Sequence, residues 1–160
     1  MVIFCLDCLG GCTKQADWPD IIVSASTPGE FAQFRAGLGQ RFKAEQLQLL
    51  DTATQELQLD AMNRDVNTAE ARELDMLKVV NGQPVRTVLH LGWQARKARF
   101  LREIAEFNQM LERDLPQKEK SEAARRIQSE QEVLGQLQAK LAETERRLAE
   151  WGQASPRSSD

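Results

Sequence analysis

The stretch KEKSEAARRIQSEQEVLGQLQAKLAETERRLAEW, residues 118–151, decides the fold. Ile127, Leu134, Leu141 and Leu148 recur every seven residues. Ala123, Glu130, Leu137, Thr144 and Trp151 hold the intermediate positions. This is a heptad pattern with polar departures at Glu130 and Thr144. It predicts one long helix, from about Lys118 to Trp151, that lays an apolar stripe against another helix.

Working back from that stretch, Leu115-Pro116 ends whatever precedes it, because proline cannot continue a helix. Before the proline, Leu89, Trp93, Phe100, Ile104, Phe107 and Leu111 lie on one stripe. They predict a second long helix from about Pro84 to Asp114. Two long helices joined by a short proline-containing turn read as an antiparallel hairpin. Chain connectivity favours packing of the heptads within the same chain. The same residues, Ile127, Leu134, Leu137, Leu141, Leu148 and Trp151, also serve as the candidate partner-helix interface.

Further upstream the elements shorten. Thr27-Pro28-Gly29-Glu30 is a helix start, with a capping residue, a proline suited to the first position and the glutamate of a capping box. Phe31, Phe34 and Leu38 follow at helical spacing, and Gly37 and Gly39 close that helix. Leu47, Leu50, Thr54, Leu57 and Ala61 share one face of a helix from about Lys43 to Asn63. Asn67 and Glu70 form a cap-like pair opening a third helix, which reaches Val80 with Leu74 and Leu77 inward. Asn81-Gly82 is read as the cap between that helix and the next. Ile21-Ile22-Val23 has strand character but no evident partner. The fold class expected is therefore all-α, three shorter helices followed by a long, coiled-coil-like antiparallel hairpin.

Composition supports helices over sheet. The 160-residue chain is rich in Leu, Ala, Gln and Glu and contains no Tyr. A net charge of −3 argues against a general nucleic-acid binder. Residues 1–80 carry 7 basic and 12 acidic side chains, residues 81–160 carry 14 and 12, an asymmetry too mild to assign a partner. No apolar run approaches the roughly 18 residues a membrane helix needs.

Chemistry-bearing patterns are sparse. His90, the only histidine, has Arg86 and Thr87 one turn before it, not glutamate, and reads as a half-buried helix residue. Arg96, Lys97, Arg99 and Arg102 form a basic cluster, with Glu103 and Glu106 placed to pair with Arg99 and Arg102 on a solvated face. The carboxylate pairs Glu56/Asp60 and Glu103/Glu106 read as charged helix faces. Phosphate-binding and nucleophile-elbow motifs are absent from the sequence. No catalytic activity, metal, cofactor, nucleic acid or small-molecule substrate is expected.

Cys5, Cys8 and Cys12 all fall at the N-terminus, so the body is not a disulfide scaffold. C-x2-C-x3-C can begin a metal site, but a fourth ligand is lacking nearby. The apolar Val2-Ile3-Phe4-Cys5-Leu6 followed by Leu9-Gly10-Gly11-Cys12 resembles the lipobox of bacterial lipoproteins. Asp7 interrupts the run and no basic residue precedes it. The resemblance implies lipidation of Cys12, cleavage of the signal-like segment just before that cysteine so that Cys12 becomes the first residue, and a place in the cell envelope. Thr13 rather than Asp after the cysteine points to the outer membrane within that resemblance. Residues 51–65 and 79–100 resemble helical proteins of bacterial genomes, a resemblance that carries no mechanism.

The organisation expected is a signal-like segment (1–12), a polar tether (13–26), a helical domain (27–151) and a Ser-rich tail (152–160). The function expected is a membrane-tethered helical structural or interaction protein. The alternatives are a cytoplasmic helical module that self-associates or docks a helical partner, and a metal-binding protein using the N-terminal cysteines.

Overall fold

The computed structural model describes residues 17–117 and 121–152. The described chain is all-helical. It comprises α1 (Pro28–Gly39), α2 (Ala44–Met62), α3 (Ala69–Val80), α4 (Val85–Asp114) and α5 (Ser121–Gly152). Short 3-10 turns cover Trp18–Asp20 and Leu115–Gln117.

The helix starts follow from their caps. The Thr27 hydroxyl accepts from the Glu30 backbone N–H at 3.3 Å, and the Glu30 carboxylate returns to the Ser26 and Thr27 N–H groups. Lys43 N–H donates to the Gln46 side chain at 3.0 Å at the head of α2. At α3 the cap is Thr68, whose hydroxyl accepts from Ala71 N–H at 3.1 Å, and not Asn67. In the connection before it, Asp65 takes a left-handed turn (φ 62°).

The main core gathers Phe31, Leu38, Leu50, Met76, Leu77, Val80 and the α4 residues Val85, Val88, Leu89 and Trp93. On α3 the buried edge is Met76, Leu77 and Val80, so the stripe is rotated and Leu74 stands at the solvent margin, 39 % exposed. α2 and α4 cross closely at Gly92. A Cβ there would fall within 2.6 Å of the Ala53 carbonyl oxygen, so only glycine allows this approach.

The segment read as the second half of a polar tether is packed instead. Trp18, Val23 and Ala25 are buried in the core, and the Trp18 ring sits 5.3 Å from that of Phe42. Val23 N–H donates to Gln83 O, Gly82 N–H to Val23 O and Val85 N–H to Ile21 O, each at 2.8 Å. Ile22 and Pro84 thus form an isolated antiparallel bridge. The partner of Ile21-Ile22-Val23 is the turn between α3 and α4, with Gly82 at φ 77°. Asn81 adds its side-chain oxygen as acceptor for Ala25 N–H at 3.1 Å. Residues 18–25 therefore form a strap that closes the core; residues 13–16 lie outside the described residues.

A second interior lies between α4 and α5. Phe100 and Leu111 on α4, with Ala123, Ile127 and Leu137 on α5, are buried but stand apart from the main core. Thr144, one of the polar heptad departures, is buried with its hydroxyl donating to Lys140 O at 2.8 Å, which satisfies it without a partner helix. Glu130, the other, is half-buried. Ion pairs tie the two helices at Lys97–Glu145 (2.7 Å) and Asp114–Arg126 (2.8 Å).

Candidate functional site

The seam where α2, α4 and α5 meet carries the densest polar arrangement. Glu56, on α2, is only 6 % exposed. It falls one position from the apolar stripe, and α4 covers it. Arg99 reaches across and donates Nε and Nη2 to the two Glu56 oxygens at 2.9 and 2.7 Å. Its remaining Nη1 donates to Glu103 at 2.8 Å. The fork-to-fork geometry makes a buried carboxylate tolerable. The Glu56 carboxylate, foremost, and Glu103 hold the Arg99 guanidinium above its ordinary pKa, against the cost of partial burial.

Arg96 sits one turn earlier and is held differently. Its guanidinium carbon lies 5.0 Å from the Trp93 ring and 5.4 Å from the Phe100 ring. Glu56 Oε1 is 3.7 Å from its Nε, too far for a hydrogen bond. That Nε is buried and makes no hydrogen bond, and neither does the buried indole nitrogen of Trp93.

Beside these side chains opens a pocket of about 470 Å³. α2 lines it with Gln48, Leu49 and Thr52, α4 with Trp93 and Arg96, and α5 with Arg147. Glu45 and Gln46 complete the wall. Thr52 gives its hydroxyl proton to Gln48 O at 2.8 Å, leaving the oxygen as an acceptor. Arg147 donates to Glu143 at 2.9 Å. Arg146, foremost, and Arg147 pull the Glu143 carboxyl down to about 2. The arrangement can bind; it contains no paired nucleophile and base.

Cys5, Cys8 and Cys12 lie outside the described residues. Among the described residues no group of Cys, His, Asp and Glu is placed to hold a metal ion. Ile127 and Leu137 are buried, while Leu134, Leu141, Leu148 and Trp151 are half-buried. Leu148 and Trp151 pack against the main core, carrying the end of α5 back to α4's first half. His90 is half-buried, its Nε2 2.9 Å from the Gln94 amide nitrogen.

The charged residues regroup. Glu56 is not part of a solvated face with Asp60; it is the buried anchor of Arg99, while Asp60 pairs with Arg64. Arg99–Glu103 forms as spaced, but among the described residues Arg102 and Glu106 do not pair. Lys97 turns to α5 instead. Sequence reasoning misses the seam because its residues come from three helices. The available signal is Glu56 sitting among small and apolar positions of α2, opposite a helix with two arginines three apart.

No helix among the described residues is long and apolar enough to cross a membrane. No protein-family model matches the chain, and no curated protein or solved structure matches it.

Proposed function

We propose that this chain is a helical interaction protein without catalytic activity, held at the bacterial cell envelope by a lipid on Cys12. In this reading α4 and α5 form an antiparallel, coiled-coil-like hairpin. Its distal half is an arm that engages a helical protein partner or a second copy. The observation that supports it is the separate interior of Phe100, Leu111, Ala123, Ile127 and Leu137. A two-helix arm with its own small interior displays long faces away from the body. Leu101 stands on such a face of α4, 47 % exposed, and Leu115 in the turn at its tip, 48 % exposed. The anchor rests on Leu9-Gly10-Gly11-Cys12 and its lipobox resemblance. Acyl chains on that cysteine give stable attachment at about 0.8 kcal/mol per buried CH2.

Intact-mass spectrometry of the protein from its native host tests the anchor. The expected species begins at Cys12 and carries added acyl mass. A full-length, unacylated chain overturns it. Photo-crosslinkers at Leu101 and Leu115 test the arm. Adducts are expected from those sites and not from Ile22, which is equally exposed but lies on the body.

A further inference from the structure

We infer that the pocket between α2, α4 and α5 is a binding site for a small, flat monocarboxylate, received by the Arg96 guanidinium. This goes beyond the proposed function and does not depend on it. A guanidinium offers five donors in a fixed fork. Arg99 uses its fork on Glu56 and Glu103. Arg96, on the same helix and against the same Glu56, donates no hydrogen bond among the described residues. Rings hold it in place: Trp93 and Phe100 fix the guanidinium by their faces and leave its edge unspent. Its side chain is about a quarter exposed, at 26 %, and it lines the pocket. A cation oriented by packing, with unused donors beside a cavity, is preorganised for an incoming acceptor.

The walls narrow the ligand class. Leu49 and Trp93 give the cavity an apolar side suited to a flat body. Gln46, Gln48 and Thr52 supply neutral polar groups. A volume of about 470 Å³ suits a small organic molecule.

Charge excludes the polyanions. Arg147 is already engaged by Glu143 and Glu150. Glu45 is on the wall, and Glu56 stands behind Arg96. The local field therefore has no surplus of positive charge to hold a phosphate dianion or a nucleotide. One unspent fork matches one carboxylate, which guanidinium takes bidentately.

Benzoate titration of the 15N-labelled protein, followed at the Trp93 indole and Arg96 Nε–H resonances, tests the proposal. Saturable shifts are expected, with benzyl alcohol and inorganic phosphate each weaker by about tenfold or more, since the charged fork-to-carboxylate contact is lost or mismatched. Arg96→Gln should weaken benzoate by a similar factor. Thr52→Phe, which fills the pocket and leaves the cation in place, should abolish the shifts. Arg102→Gln, an exposed change on the same helix, should leave the titration unchanged. Absence of saturation, equal binding of benzyl alcohol or phosphate, or benzoate binding indifferent to both Arg96→Gln and Thr52→Phe overturns the proposal.

Discussion

Gly92 shows how one residue sets the approach of two helices. Any Cβ there meets the Ala53 backbone, which cannot turn aside as a side chain can. Gly92→Ala should therefore destabilise the protein by about 1–3 kcal/mol, the usual cost of forcing extra volume into a packed interior. Gly135 is the control. It also lies inside a helix, but nothing is within 4 Å of its added Cβ, so Gly135→Ala should stabilise by about 0.5–1 kcal/mol. Urea denaturation of both variants checks the pair; equal signs would refute the close crossing. Glu56 and Arg99 act at the same scale. Arg99→Met strands a buried carboxylate and should cost about 3 kcal/mol, whereas Glu56→Gln keeps an acceptor and should cost roughly 1 kcal/mol. The double variant Glu56→Leu, Arg99→Met should lie closer to wild type than Arg99→Met alone. A double-mutant cycle without coupling would show that the pair is only incidental. None of this was legible in the sequence. A glycine within a helical stripe and a glutamate beside one have many readings until another helix is laid on top.

At the scale of elements much more could be read. The Thr27–Glu30 box and the proline before α5 each place a helix boundary from local chemistry alone, and both helices stand where spacing put them. The heptads marked the inner face of α5, because a seven-residue repeat requires a facing helix whatever that helix is. The strap was not legible, since Ile21-Ile22-Val23 pairs with a turn some sixty residues away and strand pairing leaves no local mark on either segment. The turn between α4 and α5 is held by charge. Asp114 is buried and accepts from Arg126 Nε at 2.8 Å and Arg113 Nε at 3.1 Å. Those arginines, Arg126 foremost, hold its carboxyl below the ordinary value. A carboxyl depressed in the folded state contributes stability that is fully present above its unfolded pKa, about 3.9, and lost as pH falls through the lower folded value. The stability gap between wild type and Asp114→Asn should hence be constant above about pH 5 and narrow below about pH 4. Urea midpoints measured from pH 7 to 2 check this, and a gap that widens on acidification would reverse the sign of the linkage.

At the scale of the molecule the strap bears on what the proposed anchor at Cys12 would do. With residues 13–26 extended, the body would range freely from the membrane. Trp18 is buried, so the free reach from Cys12 is at most about 21 Å even fully extended. The strap lies at the head of α4, through the contacts of Ile21 and Val23 with Gln83 and Val85. The turn into α5 lies at the other end of a 30-residue helix, about 45 Å away. An anchored molecule therefore keeps the strap end near the bilayer, and its arm tip has the length to stand well clear of it. Cleavage at Cys12 would remove Cys5 and Cys8 and block the remaining thiol, so an added cysteine is the only site for a dye. Ile22→Cys and Leu115→Cys suit this, both side chains being about half exposed at opposite ends of α4. On vesicles bearing acceptor-labelled headgroups, a dye at position 22 should transfer energy strongly and one at position 115 weakly. Equal transfer from both would mean that the long helices lie along the surface. The arm would then meet lipid before protein, and the partner-binding reading of Leu101 and Leu115 would fail with it.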